Sequence, residues 1–345
     1  MVDVANGWFG PHAGAGSSLY KVYIGCALSM LCIYLVKDKK YYGQIYGQLL
    51  GGLLICIYWM KLIKPYCNLV FKKSYFKYIF TYSVPLIPYA LSGVIIEQFG
   101  KLAIGKSQSL SEAGFYSLAL AVSSLVSIII AVTHQAWNPY YFEYMNSKNY
   151  KQLDIDFVRI FKITILGAFG IAAFGKEIGL ILAKKEFSSS LYLIPIFTLG
   201  YVFYQFSYAY LRNFGYSKNT YYMTITVLLS GASNVVLNFI LIKHYGAIGA
   251  AISFVLSYII MALIGWFINH FLVKLHATPM KYMLLPIGVV LPFYFLLYLI
   301  MDIDSLYFSL FIKLILCGLL ATITFWTDRI MVSNFIRKIL IKKVE

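Results

Sequence analysis

The stretch Asn234–Tyr258, NVVLNFILIKHYGAIGAAISFVLSY, predicts two apolar helices joined by a tight turn at Lys243–Gly246. Asn234 and Asn238 lie one helical turn apart on one face of the first helix. Small residues spaced four apart let helix backbones approach closely within lipid. The second helix has two such pairs, Gly246 with Ala250 and Gly249 with Ser253. We therefore predict a helix-packing corner, in which the two asparagines connect helices rather than contact cargo.

The composition predicts an integral membrane protein of the all-α class. Hydrophobic residues make up 61% of the 345 residues and charged residues 12%, whereas soluble domains carry about 25% charged residues. The mean hydropathy is +0.75. Apolar windows of roughly 17 to 25 residues predict about ten membrane spans, which makes the chain a polytopic helical protein. The predicted spans are 19–36, 45–63, 79–100, 113–137, 158–175, 191–211, 221–242, 247–271, 282–300 and 306–326.

The net charge of +16 is spread over many loops rather than gathered in one basic domain, so nucleic acid is not an expected partner. On the side that carries both chain ends, the loops hold roughly twice as many Lys and Arg as those on the opposite side. The positive-inside rule therefore predicts that both termini lie in the cytoplasm.

No motif in the sequence predicts an enzyme, a metal site or a cofactor. The five histidines lack Asp, Glu or Cys partners at metal-ligand spacing, and no glycine-rich phosphate-binding motif is present. A membrane-bound acyltransferase would need an intramembrane His/Arg pair, and a glycan polymerase would need a long external loop. The sequence offers neither of these features, so both enzyme classes are disfavoured.

A weak internal repeat predicts the organisation of the chain. Tyr42–Ile45 aligns with Tyr245–Ile248 at an offset of 203 residues, as expected of transporters built from two related halves. Chance similarity of two glycine turns is the alternative. The predicted segments are a Gly-rich loop (1–18), the last two helices of a first lobe (19–63), a basic cytoplasmic linker (64–78), a six-helix second lobe (79–272), an additional helix pair (273–327) and a basic cytoplasmic tail (328–345).

Three local features of the second lobe carry further predictions. Pro85 and Pro88 each remove a backbone donor and should break or kink their helix. Pro139 should end another helix. Glu97, interpreted as the only acid inside a span, can pair with Lys101 one turn further along.

Five stretches resemble bacterial polysaccharide-export flippases, the O-antigen and teichoic-acid type transporters of the MOP superfamily. They are SVPLIPYALSG (83–93), EAGFYSLALAVSSLV (112–126), HQAWNPYYFE (134–143), LYLIPIFTLGYVF (191–203) and the opening stretch. The resemblance implies MATE-like six-helix lobes, a central cavity that opens alternately to either side, and a lipid-linked oligosaccharide as cargo. Relative to that family, the sequence lacks about the first four transmembrane helices.

The resulting expectation is a flippase of the bacterial inner membrane that moves an undecaprenyl-pyrophosphate-linked O-antigen or capsule repeat unit. Expected partners are this lipid-linked oligosaccharide, membrane lipids, a glycan polymerase and other assembly proteins. A dianionic pyrophosphate needs cations to cross hydrocarbon, so Lys101, Lys106 and Arg212 are the predicted substrate-binding residues. Glu97 is the predicted ion-coupling residue. Two alternatives stay open: a cation-coupled multidrug extruder, and a non-transporting component of a glycan-assembly complex.

Overall fold

A computed structural model describes residues 25–35, 41–64, 73–182, 191–300 and 306–325. Within these ranges nearly all residues are helical, and the all-α prediction is confirmed. The predicted N-terminal loop (1–18) and basic tail (328–345) lie outside the described residues. The helices are α1 (Gly25–Leu35), α2 (Tyr41–Ile63), α3 (Lys73–Ser83), α4 (Leu86–Ser107), α5 (Leu110–Ser123), α6 (Leu125–Asn146), α7 (Tyr150–Leu182), α8 (Ile194–Tyr216), α9 (Thr220–Ile268), α10 (Met280–Ile300) and α11 (Leu306–Phe325).

Six helical runs in the described part of the chain are long and apolar enough to cross a membrane. Two of these runs join consecutive helices, α3 with α4 and α5 with α6. Another contains α9, which folds back on itself and so has the length for two crossings. The estimate of about ten spans is compatible with this arrangement and stays a prediction.

The chain divides into two compact units, Met1–Tyr75 and Phe76–Glu345. In the first unit, α1 and α2 form a tight hairpin in which the backbone of α1 lies directly against two glycines of α2. A Cβ atom on Gly43 would lie 2.7 Å from the Ile33 Cα, and one on Gly47 would overlap the backbone of Ser29. The Ser29 hydroxyl also donates to the Gln44 carbonyl at 3.3 Å. The hairpin therefore depends on glycine at both positions.

In the second unit, α8 lies at the centre and contacts α5, α6, α7 and α9. Most of its residues are buried. Helix α9 packs against α4 and α8, and α10 and α11 pack against α7 and each other. This arrangement brings together α6 and α8, the two helices that carry the candidate site.

The opening stretch forms the predicted corner. Gly246 has φ +57° and ψ −133°, which reverses the chain in the middle of α9. Asn234 Nδ2 donates to the Ser257 hydroxyl at 3.0 Å, and Asn238 Nδ2 donates to Asn234 Oδ1 at 2.9 Å. The hydroxyl of Ser253 donates to the Gly249 carbonyl at 2.9 Å. Asn234 therefore connects the two arms of the hairpin, as predicted, whereas Asn238, among the described residues, bonds only to Asn234 on its own arm.

The two proline predictions have opposite outcomes. The chain does break at Pro85, where α3 ends and α4 begins. Thr220 donates to the Tyr82 carbonyl at 3.1 Å and Thr224 donates to the Pro85 carbonyl, so α9 satisfies backbone groups that the break leaves free. The prediction for Pro139 is wrong, because α6 continues through it to Asn146.

The interpretation of Glu97 as the only acid inside a span is also wrong. Helix α7 continues to Leu182 and contains Glu177, whose carboxylate accepts from the Lys313 ammonium of α11 at 2.6 Å. Lys313 is only 2% exposed. A buried ammonium is tolerated there because this carboxylate compensates its charge. The ion pair therefore joins α11 to α7.

Candidate functional site

The four predicted site residues lie on two helices. Glu97, Lys101 and Lys106 belong to the second half of α4, and Arg212 belongs to the last turns of α8. The expected ion pair between Glu97 and Lys101 is absent among the described residues. The Lys101 ammonium donates instead to Gln98 Oε1 at 2.8 Å. Lys106 is exposed in the last turn of α4.

The structure does not bring these four residues together. Glu97 lies near Tyr201 of α8, and Tyr201 precedes Arg212 by eleven residues. At 1.5 Å per residue, Arg212 lies about 16 Å further along α8. The two lysines of α4 and the guanidinium of Arg212 therefore lie at separate places along the bundle. A charged group of the substrate would have to contact them one after the other.

Arg212 lies in a group of side chains that the sequence did not predict, the Arg212 cluster: His134, Trp137, Tyr141, Gln205, Tyr208 and Arg212. The guanidinium carbon lies 4.1 Å from the Trp137 ring centroid and 5.0 Å from that of Tyr141. Its Nη2 atom donates to His134 Nδ1. Cation–π contacts and one hydrogen bond thus hold the guanidinium in place without an acid.

The hydrogen bonds fix the protonation of the imidazole in the Arg212 cluster. A guanidinium can only donate, so His134 Nδ1 must accept and the ring proton lies on Nε2. Nε2 then donates to Gln205 Oε1, 2.7 Å away. The ring also stacks on Tyr208 with a centroid separation of 4.0 Å. His134 is therefore a neutral residue that positions Arg212 rather than a second cation.

Three buried donors of the Arg212 cluster have no hydrogen-bond partner: Arg212 Nη1, Trp137 Nε1 and Gln205 Nε2. Within the described residues, no carboxylate forms an ion pair with Arg212. Buried donors are normally satisfied, and an orphan donor is costly. The cluster therefore has one positive charge and a surplus of donors, and a ligand with several acceptor oxygens would complement it.

Aromatic rings continue from the Arg212 cluster toward Glu97. The Tyr204 and Tyr208 hydroxyls lie 3.2 Å apart, and the Tyr204 ring centroid lies 5.0 Å from that of Tyr258. Tyr201 and Tyr258 are buried in the core, whereas Tyr204 and Tyr208 keep part of their surface accessible. The accessible rings are suited to stacking on sugar rings.

A polar network connects the Arg212 cluster to the end of the bundle. Tyr141 donates to Asn213 Oδ1 at 2.5 Å, and Asn213 Nδ2 donates to Asn269 Oδ1 and to the His276 carbonyl, both at 2.9 Å. His276 Nε2 lies 3.0 Å from Asp154 Oδ1. The loop between α9 and α10 is thereby tied to the helix that carries Arg212. In the sequence, the only sign of this network is that Asn213, with its side-chain amide, directly follows Arg212.

The described residues contain no group of three or more His, Cys, Asp or Glu that could hold a metal ion. Because the Arg212 cluster contains only neutral and cationic side chains, it is unsuited to a cation.

Comparisons with known proteins agree with this architecture. Residues 14–174, just under half of the chain, match a family model described as "Polysaccharide biosynthesis protein". Three of the five stretches that carry the resemblance lie within that range. No curated protein sequence matches the chain.

Among the solved structures that share the fold are the following two. The first, lipid II flippase MurJ in an inward closed conformation, has a TM-score of 0.59 and 19% identity, over 91% of this chain and 68% of that one. The second is a crystal structure of a MATE mutant, with a TM-score of 0.57 and 16% identity, over 74% of this chain and 60% of that one. The predicted resemblance is confirmed by the family match and the fold.

Proposed function

We propose that this chain, which has the fold of MurJ and MATE proteins, moves a lipid-linked oligosaccharide across the bacterial inner membrane by alternating access. The finer proposal is a repeat unit of O-antigen or capsule carried on undecaprenyl pyrophosphate. The observation that carries the proposal is the Arg212 cluster, a positive centre without an acid and with three unsatisfied donors. In this proposal both termini lie in the cytoplasm.

The cargo sets the physical task. A sugar and a dianionic pyrophosphate must cross about 30 Å of hydrocarbon, and an isolated charge in that medium is costly. Pyrophosphate presents only acceptor oxygens, which match the free donors of Arg212, Trp137 and Gln205. Accessible tyrosine rings beside these donors would contact the sugar. The same cluster thus supplies complementary groups for both polar parts of the cargo.

In this proposal, a second group of residues acts at a different depth in the membrane from the Arg212 cluster: Lys101, Lys106 and Glu97. Lys101 and Lys106 would contact cargo phosphate at the other end of α4. Glu97, which is not held in an ion pair, would serve as the ion-coupling carboxylate. We expect Lys101→Ala to abolish surface polysaccharide in a strain that depends on this protein, and full activity would remove Lys101 from the site.

Substitution of Arg212 tests the proposal more directly. In the same strain, we expect Arg212→Gln to reduce surface polysaccharide more than tenfold and to leave the lipid-linked oligosaccharide on the cytoplasmic leaflet. Arg212→Lys should retain part of the activity, because the charge remains while the planar stacking on Trp137 is lost.

Arg159→Gln is the matched control, because Arg159 already has an ion-pair partner in Asp156 at 2.9 Å and lies outside the Arg212 cluster. All variants must reach the membrane at wild-type level. Full export by Arg212→Gln would contradict the assignment of the cluster.

The MATE match favours one second candidate, a cation-coupled multidrug extruder. The cargo distinguishes the two functions. Deletion of an extruder would change drug sensitivity and leave the surface glycan intact, whereas deletion of the flippase would do the reverse.

A further inference from the structure

A pocket of about 370 Å³ lies where α9 passes through a π-helical turn (Asn269–Val273) and a loop into α10. The residues of this α9–α10 pocket that matter here are Tyr210, Trp266, His270, Lys274, His276 and Thr278. It is distinct from the Arg212 cluster, with which it shares no residue. Its location is the end of the bundle that is predicted to face the cytoplasm.

The lining of the α9–α10 pocket is basic. It includes Lys274, His270 and His276 and no Asp or Glu. His276 is already engaged, since it contacts Asp154 at 3.0 Å and stacks on Tyr150 at 4.4 Å. In the described part of the chain, no carboxylate lies within ion-pair distance of the exposed Lys274 ammonium. The uncompensated charge favours an anion.

A buried donor provides an independent observation. Tyr210 lines the pocket and is only 2% exposed. Its hydroxyl is buried, and it has no hydrogen-bond partner. Its ring fits against α9 because Gly265 has no side chain; a Cβ there would lie 3.2 Å from the Tyr210 Cβ. An unsatisfied buried hydroxyl is costly, and a ligand oxygen that reached it from the pocket would remove that cost.

One flank of the α9–α10 pocket is aromatic and accessible. Trp266 stacks on His270 with ring centroids 5.6 Å apart and an interplanar angle of 10°. Phe267 and Phe271, beside them, are 53% and 51% exposed. Exposed aromatic residues next to basic side chains are typical of the level of lipid headgroups. These side chains suit a position at the boundary between water and lipid.

We propose that the α9–α10 pocket binds a phosphate ester, with Lys274 and the Tyr210 hydroxyl as donors and Trp266 and Phe271 beside the rest of the ligand. The same chemistry is presented by an anionic phospholipid headgroup and by a soluble phosphate ester. The aromatic flank favours the lipid. Such a site goes beyond the transported cargo, because it would be occupied whether or not the Arg212 cluster is loaded.

The test uses the purified full chain in detergent and measures binding of dioctanoyl phosphatidylglycerol by calorimetry. We expect Lys274→Gln to weaken binding about fivefold, the contribution of one base near an anionic headgroup. Tyr210→Phe, which keeps the ring and its packing, should weaken binding about threefold through the loss of one neutral hydrogen bond. Dioctanoyl phosphatidylcholine should bind more weakly than the anionic lipid.

Lys281→Gln is the matched control, because Lys281 lies in the first turn of α10 but does not line the pocket. Equal losses in Lys281→Gln and Lys274→Gln would indicate diffuse surface attraction and overturn the proposal, as would unchanged binding in both pocket variants. Competition by glycerol 3-phosphate separates the two sources. If glycerol 3-phosphate competes with an affinity equal to that of the lipid, the site binds phosphate and is assigned to a soluble ester. If it fails to compete while the pocket variants still weaken lipid binding, the site is assigned to lipid.

Discussion

Two hairpins in the described part of the chain, α1–α2 and the two arms of α9, use the same kind of backbone contact and different side chains. In each, glycine lets one helix lie against the backbone of the other: Gly47 against Ser29, and Gly249 against Leu241. In the α9 hairpin, Asn234, Asn238, Ser253 and Ser257 are buried and hydrogen-bonded. The positions 203 residues earlier are all leucine: Leu31, Leu35, Leu50 and Leu54.

The difference follows from burial. All four leucines are exposed, by 46% to 67%, whereas the four polar residues are at most 1% exposed. A face that contacts lipid needs apolar side chains, while within a bundle polar side chains can bond helices to one another. Close glycine packing thus occurs in both hairpins, whereas the polar side chains occur only in the hairpin that is buried inside the second unit.

The largest predicted effect comes from filling the close approach. We expect Gly249→Val to cost more than about 3 kcal/mol, because the side chain would overlap the Leu241 carbonyl and backbone cannot move aside as a side chain does. Size-exclusion chromatography in detergent should show aggregated protein. Gly47→Val should disrupt only the α1–α2 hairpin, so limited proteolysis would still release a resistant second unit.

Equal protease resistance of the second unit in both variants would contradict this prediction. Gly93→Val is a suitable control for the substitution itself, because a Cβ atom at Gly93 would have no neighbour within 4 Å.

An intermediate effect is expected at the turn. Gly246 combines φ +57° with ψ −133°, a conformation that residues with a Cβ rarely adopt, so we expect Gly246→Ala to cost about 2 kcal/mol. Gly43, its counterpart in the alignment, does not have positive φ and is limited by the 2.7 Å approach to Ile33 instead. The two glycines are thus required for different reasons.

The temperature at which half of the protein stays monodisperse after heating measures this cost. Gly52→Ala, in the middle of α2 with no neighbour within 4 Å, should be neutral or raise that temperature. A Gly246→Ala variant as stable as Gly52→Ala would show that the turn tolerates a side chain.

The sequence predicted features that depend on neighbours along the chain. Hydropathy indicated membrane helices, the glycine turn placed the corner at Gly246, and Pro85 placed the break between α3 and α4. The glycine and proline signals act within about one helical turn, and hydropathy acts within a single helix. Pro139 shows the limit of that approach, because a transmembrane helix can continue through a proline when its surroundings satisfy the free backbone group.

The candidate site was less predictable because its contacts join distant parts of the chain. His134 and Arg212 are 78 residues apart, and Glu177 and Lys313 are 136 apart. Arg212 could be selected as a cation in a span, but only packing reveals that His134 and Trp137 surround it. Lys101 was expected to contact Glu97 one turn away, and a closer amide at Gln98 takes its hydrogen bond.

The smallest effect is expected from exchanging a polar residue with its leucine counterpart. Asn234→Leu would leave the Ser257 hydroxyl and the Asn238 amide without one of their partners, at a cost of about 1 kcal/mol, typical of hydrogen bonds between membrane helices. The matched control, Leu31→Ala, keeps an apolar side chain at a position that is 56% exposed and should change stability by less than about 0.5 kcal/mol. Heating in detergent and counting the monodisperse fraction compares the two. If Asn234→Leu proved as harmless as Leu31→Ala, the polar side chains would add nothing to the corner that its glycines do not already provide.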